Sequence, residues 1–353
     1  MHVTHYARRS LAAGVLALAL AACGKDTGPS EFNPQGTSAD MAAAQDAFAS
    51  EQTSSFSAVG PDISAVLNGS PVVAGAAELM LTRPSEVSAR YARRLAALVP
   101  SASRGIQASV AAVPSAVLGT TFVWDETNDL YVASDLPGAP ASGVRFVLYA
   151  VDPVTLRPVE PVVEVGYVDI TDHSTSTAVD VGVRVVAGSV VYLNYDVKAT
   201  AMASDALITI SGSASDGATV ATFNLKNTIS DNAGSPVFTF DYRLDVPSRH
   251  LSLDWTAILA SISTNESAIT LDLAISGQNG DVRITGTYGV SGSLTVKVNG
   301  DLLATVNLDG IDPVITGAGG APLTPEEEAS LQAIFEFYFG ASDVFDNLLF
   351  PVT

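Results

Sequence analysis

From about Thr120 to Leu308 the chain alternates apolar and polar residues with a period of two. Phe238, Phe240, Tyr242, Leu244 and Val246 interleave with Thr239, Asp241, Arg243 and Asp245. Leu251, Leu253, Trp255, Ala257 and Leu259 interleave with Ser252, Asp254 and Thr256, and Ile269, Leu271, Leu273 and Ile275 with Thr270, Asp272 and Ala274. The same register runs through Val179, Val181, Val183 and Val185, then Val191, Leu193, Tyr195 and Val197, and later Leu294, Val296 and Val298. Successive strand side chains point to opposite faces, so this pattern predicts an antiparallel sheet with one buried and one wet face.

The spacers between these runs are short. Gly188-Ser189, Ser215-Asp216-Gly217, Asn232-Ala233-Gly234, Pro247-Ser248, Gly277 to Gly280, Ser291-Gly292 and Asn299-Gly300 suit hairpin turns. Roughly a dozen strands in sequence then form an up-and-down meander, which must twist and tends to curl into a half-barrel or barrel-like sheet. Residues 118–310 are assigned to this β body.

Helical patterns flank it. Residues 38–115 read as a helical N-terminal region. Met41, Ala44 and Phe48 share a face of an alanine-rich helix from Ser38 to about Glu51, and short apolar pieces follow over 62–81. A further helix is expected after Pro84, with Ser85 as N-cap and Val87, Tyr91, Leu95 and Leu98 in one stripe. Arg83, Arg90, Arg93, Arg94 and Arg104 gather there, as a solvated face beside the acidic body or a contact to lipid phosphate or an acidic partner. Residues 322–353 read as a C-terminal helical cap. Thr324-Pro325-Glu326-Glu327 is a capping box with Pro at the first helical position, and Leu331, Ile334, Phe335 and Tyr338 form a stripe that Gly340 ends. A second short helix from Ser342 would add Phe345, Leu348 and Leu349. The economical fold is mainly β: one domain over 38–353, with a large curved antiparallel meander whose apolar face is covered by these helices.

The first 37 residues follow another logic. Arg8 and Arg9 precede an uncharged apolar run over residues 10–22, too short to span a bilayer, which needs about 20 apolar residues. The run ends in Leu20-Ala21-Ala22-Cys23, and Cys23 is the only cysteine of the chain. This tetrapeptide resembles the lipobox of bacterial membrane-anchored lipoproteins. The resemblance implies that residues 1–22 are a cleaved signal peptide, that Cys23 is lipidated, and that multiple acyl chains hold the protein to a membrane. Gly24 in place of Asp implies, by similarity to enteric lipoproteins, the outer membrane of the cell envelope. Arg8-Arg9-Ser10-Leu11-Ala12 also resembles a twin-arginine export motif. Residues 23–37, polar and rich in Gly and Pro, are the expected tether.

Charge and residue usage exclude several functions. The formal charge is −20, and two units more negative without residues 1–22, which carry Arg8, Arg9 and no acid. Such a chain repels nucleic acid. With Cys23 alone, no internal disulfide can form. Two histidines, His173 and His250, follow Cys23, which are too few ligands for a zinc site built on His and Cys; there is no G-x-S-x-G elbow, phosphate loop or dinucleotide fingerprint. Gly289-Val290-Ser291-Gly292-Ser293 is out of register for the elbow.

Three site classes stay open. Calcium takes oxygen ligands, so Asp125 and Asp129, with Glu126 and Asn128, and Asp169 and Asp172, with His173, are candidates, although neither set has EF-hand spacing. A hydrophobic ligand, such as a lipid, could lie on the face that carries Phe240, Tyr242, Trp255 and Leu273. In this layout the chain resembles the half-barrel periplasmic lipoprotein carriers, which hold acyl chains under helices. Trp124 beside Asp125 could serve as a sugar platform for a hydrolase that uses carboxylates. The expectation is a non-catalytic, lipid-anchored envelope protein acting as a binding or structural module. The lipid carrier and the envelope hydrolase are alternatives, and no cofactor is expected beyond calcium.

Overall fold

A computed structural model describes residues 32–67, 111–201, 205–232, 235–263, 266–289, 291–308 and 314–348. The expected signal peptide, Cys23, most of the tether, the helix after Pro84 and its arginines lie outside the described residues, as does Leu349.

Among the described residues the chain forms fifteen strands, fourteen of them in the period-two segment: β1 Thr120–Asp125, β2 Leu130–Ser134, β3 Gly143–Tyr149, β4 Glu164–Asp172, β5 Ala178–Ala187, β6 Val190–Ala201, β7 Asp205–Ser215, β8 Val220–Asn232, β9 Ser235–Val246, β10 Leu251–Ser263, β11 Glu266–Ser276, β12 Val282–Tyr288, β13 Gly292–Val298, β14 Asp301–Asn307 and, beyond it, β15 Val314–Gly317. They make one sheet. From β3 to β15 every strand pairs antiparallel with its sequence neighbour. The meander is interrupted at one edge, where β1 pairs parallel with β3 and β2 folds back on β1 as the last strand. The sheet is curved and does not close. It extends past the expected boundary at residue 310 by the short β15. The Asn299-Gly300 turn has the geometry its sequence demands: φ is 50° at Asn299 and 92° at Gly300, both in the left-handed region of a type I′ hairpin.

Among the described residues three helices cover the apolar face: α1 Pro34–Asp46, α2 Glu51–Leu67 and α3 Pro325–Asn347. α2 lies across β3 to β6, and α1 packs along α3. Aromatic rings mark the joins. Phe48 meets Phe223 at 5.8 Å between centroids, Phe56 meets Tyr195 at 6.4 Å, and Trp255 meets Phe337 and Tyr338 at 6.5 Å each. The predicted stripe Met41, Ala44 and Phe48 is buried, as are Leu331, Ile334 and Tyr338.

Three helix boundaries correct the sequence reading. The expected tether overlaps α1, which begins at Pro34, not Ser38. Asn33 caps it by accepting from the Gly36 amide, and the Asn33 side chain also donates to Asn279 Oδ1 at 2.9 Å, which docks the segment on the β11–β12 turn. The expected helix from Ser38 to Glu51 is split at Ala47–Ser50, where the Ser50 hydroxyl accepts from the Thr53 amide at 3.0 Å and starts α2. Gly340 does not end α3. Buried Phe337, Tyr338 and Ala341 on either side of it keep the helix seated, so the expected second helix from Ser342 is the continuation of the first.

Candidate functional site

The four residues of the expected hydrophobic-ligand face lie together on the inner side of the sheet. Trp255 stands opposite Tyr242 on β9 and Leu273 on β11, and its ring meets that of Tyr242 edge-on at 5.2 Å. The ring of Phe240 meets Tyr242 at 6.1 Å. Phe240, Tyr242, Trp255 and Leu273 are all buried, and α3 sits directly over Trp255. The phenol of Tyr338 lies 3.2 Å from that of Tyr288, and burial raises the pKa of both, Tyr338 to about 12. A lipid bound here would have to displace α3.

The calcium candidates separate. Asp125 caps the β1–β2 turn, taking the Thr127 amide at 2.8 Å and the Asn128 side-chain amide at 2.6 Å; the bond from Asn128 leads in holding its pKa below the ordinary carboxylate value. Asp129 is paired with Arg157. Asp169 is held by both Nε and Nη2 of Arg145, its cross-strand partner, at 2.7 and 2.8 Å, while the Arg145 guanidinium lies 3.7 Å above the Tyr167 ring. Partial burial would raise the pKa of Asp172, but hydrogen bonds from Ser174 and from the Val113 and Ala112 amides outweigh it and hold the group low. These carboxylates are therefore engaged with the protein itself. Trp124 packs edge-on against Tyr131 at 5.4 Å, half-buried at the sheet edge.

His173 finds different partners from those expected. It opens the β4–β5 loop, and its amide donates to the Asp180 carbonyl at 2.8 Å. The Asp180 amide in turn donates to the Ser174 hydroxyl at 3.1 Å. On the outer face of the sheet, Asp180 stands opposite Lys198 and Gly182 opposite Asp196. One ligand atom from each of His173, Asp180 and Asp196 falls within 4.8 Å of the other two. Gly182 is the buried floor beneath them. A Cβ on it would come 3.1 Å from both His173 Cε1 and Thr171 Oγ1, and 3.2 Å from Asp196 Oδ1. Lys198 Nζ lies 3.4 Å from Asp180 Oδ2.

Elsewhere the outer face is a lattice of paired charges and hydroxyls. One cross-strand row runs through Lys198, Thr209, Lys226, Asp241, Thr256 and Asp272, then continues as Thr285, Thr295, Thr305 and Thr316. Beside it Arg243 holds Asp245 at 2.8 Å and Asp254 at 3.5 Å, and Arg283 holds Asp272 at 2.7 Å. A shallow trough of about 480 Å³ opens among Lys226, Asp241, Arg243, Asp254, Asp272 and Arg283, and a second of about 510 Å³ adjoins it toward Lys297. Among the described residues no helix is long and apolar enough to cross a membrane.

No protein-family model, no curated protein and no solved structure matches this chain.

Proposed function

We propose that this protein is a non-catalytic binding or structural module of the bacterial cell envelope, anchored in the outer membrane by lipid on Cys23, and that it meets its partner with the outer face of its sheet. The anchor rests on the similarity of Leu20-Ala21-Ala22-Cys23 to a lipobox. The observation that carries the module reading is the filling of the inner face: Trp255 is only 5% exposed beneath Phe337 and Tyr338. That leaves the charged and hydroxylated outer face as the broad accessible surface. Its side chains offer donors and acceptors in regular cross-strand rows, suited to a polar partner and not to an acyl chain.

Two measurements test this. The full chain, expressed in an enteric bacterium fed an alkyne-tagged fatty acid, should carry the tag and fractionate with the outer membrane, and Cys23→Ser should lose both. An untagged wild-type protein would overturn the anchor. Native mass spectrometry of the detergent-extracted protein should show the polypeptide and its covalent acyl chains alone. A stoichiometric, non-covalent lipid would overturn the module reading in favour of a carrier.

A further inference from the structure

We infer that His173, Asp180 and Asp196 form a binding site for a divalent first-row transition-metal ion on the outer face of the sheet. The donor set is one imidazole and two carboxylates, whose ligand atoms already converge within 4.8 Å. A zinc ion with ligands at about 2.0–2.1 Å holds them about 3.4 Å apart. Rotation of the exposed His173 and Asp196 side chains covers that difference.

Gly182 is a separate observation that points to an occupant. Glycine weakens a strand interior and often marks the close approach of a ligand or another chain segment. The φ of Gly182 is not in the left-handed region, so its backbone does not demand glycine. A Cβ there would sit 3.1–3.2 Å from the ends of the His173 and Asp196 side chains, so any side chain would crowd the space between them. The position lies between buried Val181 and Val183, where the neighbouring residues on the outer face are otherwise ordinary strand side chains. The glycine therefore keeps a cup open beneath three converging ligand atoms.

Charge favours a dication there. Asp180 and Asp196 bring two carboxylates to the cluster, and the ammonium of Lys198 lies 3.4 Å from Asp180, in a chain whose formal charge is −20. The imidazole selects the class of ion, because calcium and magnesium prefer all-oxygen shells whereas imidazole suits zinc, copper, iron and nickel. The protein supplies three ligands from one side. The outward side is open to water or to a donor from a partner, which is the arrangement of an exchangeable site. Binding would also tie the β4–β5 loop to β6. The site does not depend on lipid at Cys23.

The experiment is calorimetric titration of the full-length, detergent-extracted, chelator-stripped protein with zinc chloride, and in parallel with manganese and calcium chloride. One zinc should bind per chain at this site. His173→Ala and Asp196→Asn should each abolish it, and His250→Ala should leave it intact. Gly182→Val keeps all three ligands and should weaken zinc roughly 10–100-fold, as loss of supporting structure does at metal centres; it decides the matter if a ligand variant fails to fold by circular dichroism. Failure of the wild-type protein to bind zinc, or binding unchanged in His173→Ala, Asp196→Asn and Gly182→Val, would overturn the site. Calcium binding as tight as zinc, and lost in the same variants, would overturn the transition-metal assignment.

Discussion

Trp255 and Tyr338 are 83 residues apart in sequence, yet their rings meet nearly perpendicular, at 75° and 6.5 Å between centroids. This contact joins the middle of the sheet to the C-terminal helix and holds α3 over the inner face. Replacing a buried Trp by Ala removes a large apolar surface and leaves a cavity, at a cost of about 3–5 kcal/mol. Trp255→Ala should therefore lower the urea midpoint more than any outer-face substitution. Trp124→Ala, at a half-buried edge position, should cost clearly less.

The same packing explains why the hydrophobic face was legible in sequence while its use was not. Alternation put Phe240, Tyr242, Trp255 and Leu273 on one side of the sheet, and they are there. Whether a helix fills or spares the concavity depends on the tertiary docking of α3, on which strand periodicity is silent. The capping box of α3 was legible because its signal is local. The His173 partners were not, since they come from β5 and β6. Their register was partly encoded: the inward sets Val181, Val183, Val185 and Leu193, Tyr195, Val197 are all odd-numbered, which a two-residue turn at Gly188-Ser189 cannot pair directly. A bulge must intervene, and one lies between Val185 and Val186. That bulge sets Asp196 opposite Gly182 and brings it to His173.

Arg145 and Asp169 form the best-shielded ion pair of the outer face among the described residues, with side chains 19% and 17% exposed and two hydrogen bonds. Charge-assisted bonds of this kind contribute about 1.5–3 kcal/mol. Asp169→Asn should lose about that much in urea unfolding. Arg145→Lys should lose nearly as much, because lysine keeps the charge but neither the fork nor the stacking on Tyr167. If Arg145→Lys were neutral, simple charge attraction would suffice and the geometry would be incidental.

Asp62 on α2 yields a prediction in pH. Burial pushes its pKa up from 3.8 to about 6, against the pull of Arg157. A raised carboxyl binds its proton more tightly in the folded state, so its favourable contribution is full below about pH 4 and is lost as pH rises through about 6. At pH 8 the folded protein carries the whole cost of a partly desolvated charge. Asp62 is not fully enclosed, and solvent screening reduces this cost to about 1 kcal/mol. Asp62→Asn should thus be more stable than wild type at pH 8, and the difference should shrink toward pH 5. Melting curves at both pH values test this, and a constant difference would assign the effect to packing.

At the start of α3, the Glu327 amide donates to Thr324 Oγ1 at 3.3 Å while the Thr324 amide donates to the Glu327 carboxylate at 2.8 Å. These bonds satisfy two amides that a helix start leaves unpaired. Thr324→Ala should cost about 1 kcal/mol, and Thr324→Ser should restore most of it. The consequence should remain local. Phe337 lies ten residues beyond Glu327, nearly three turns along the helix, and its ring is seated on Trp255. Hydrogen exchange at the first-turn amides should accelerate in Thr324→Ala, with Trp255 as shielded from acrylamide quenching as in wild type. If quenching rises together with exchange, α3 leaves the sheet as one unit, and the inner face is opened by fraying at the helix start.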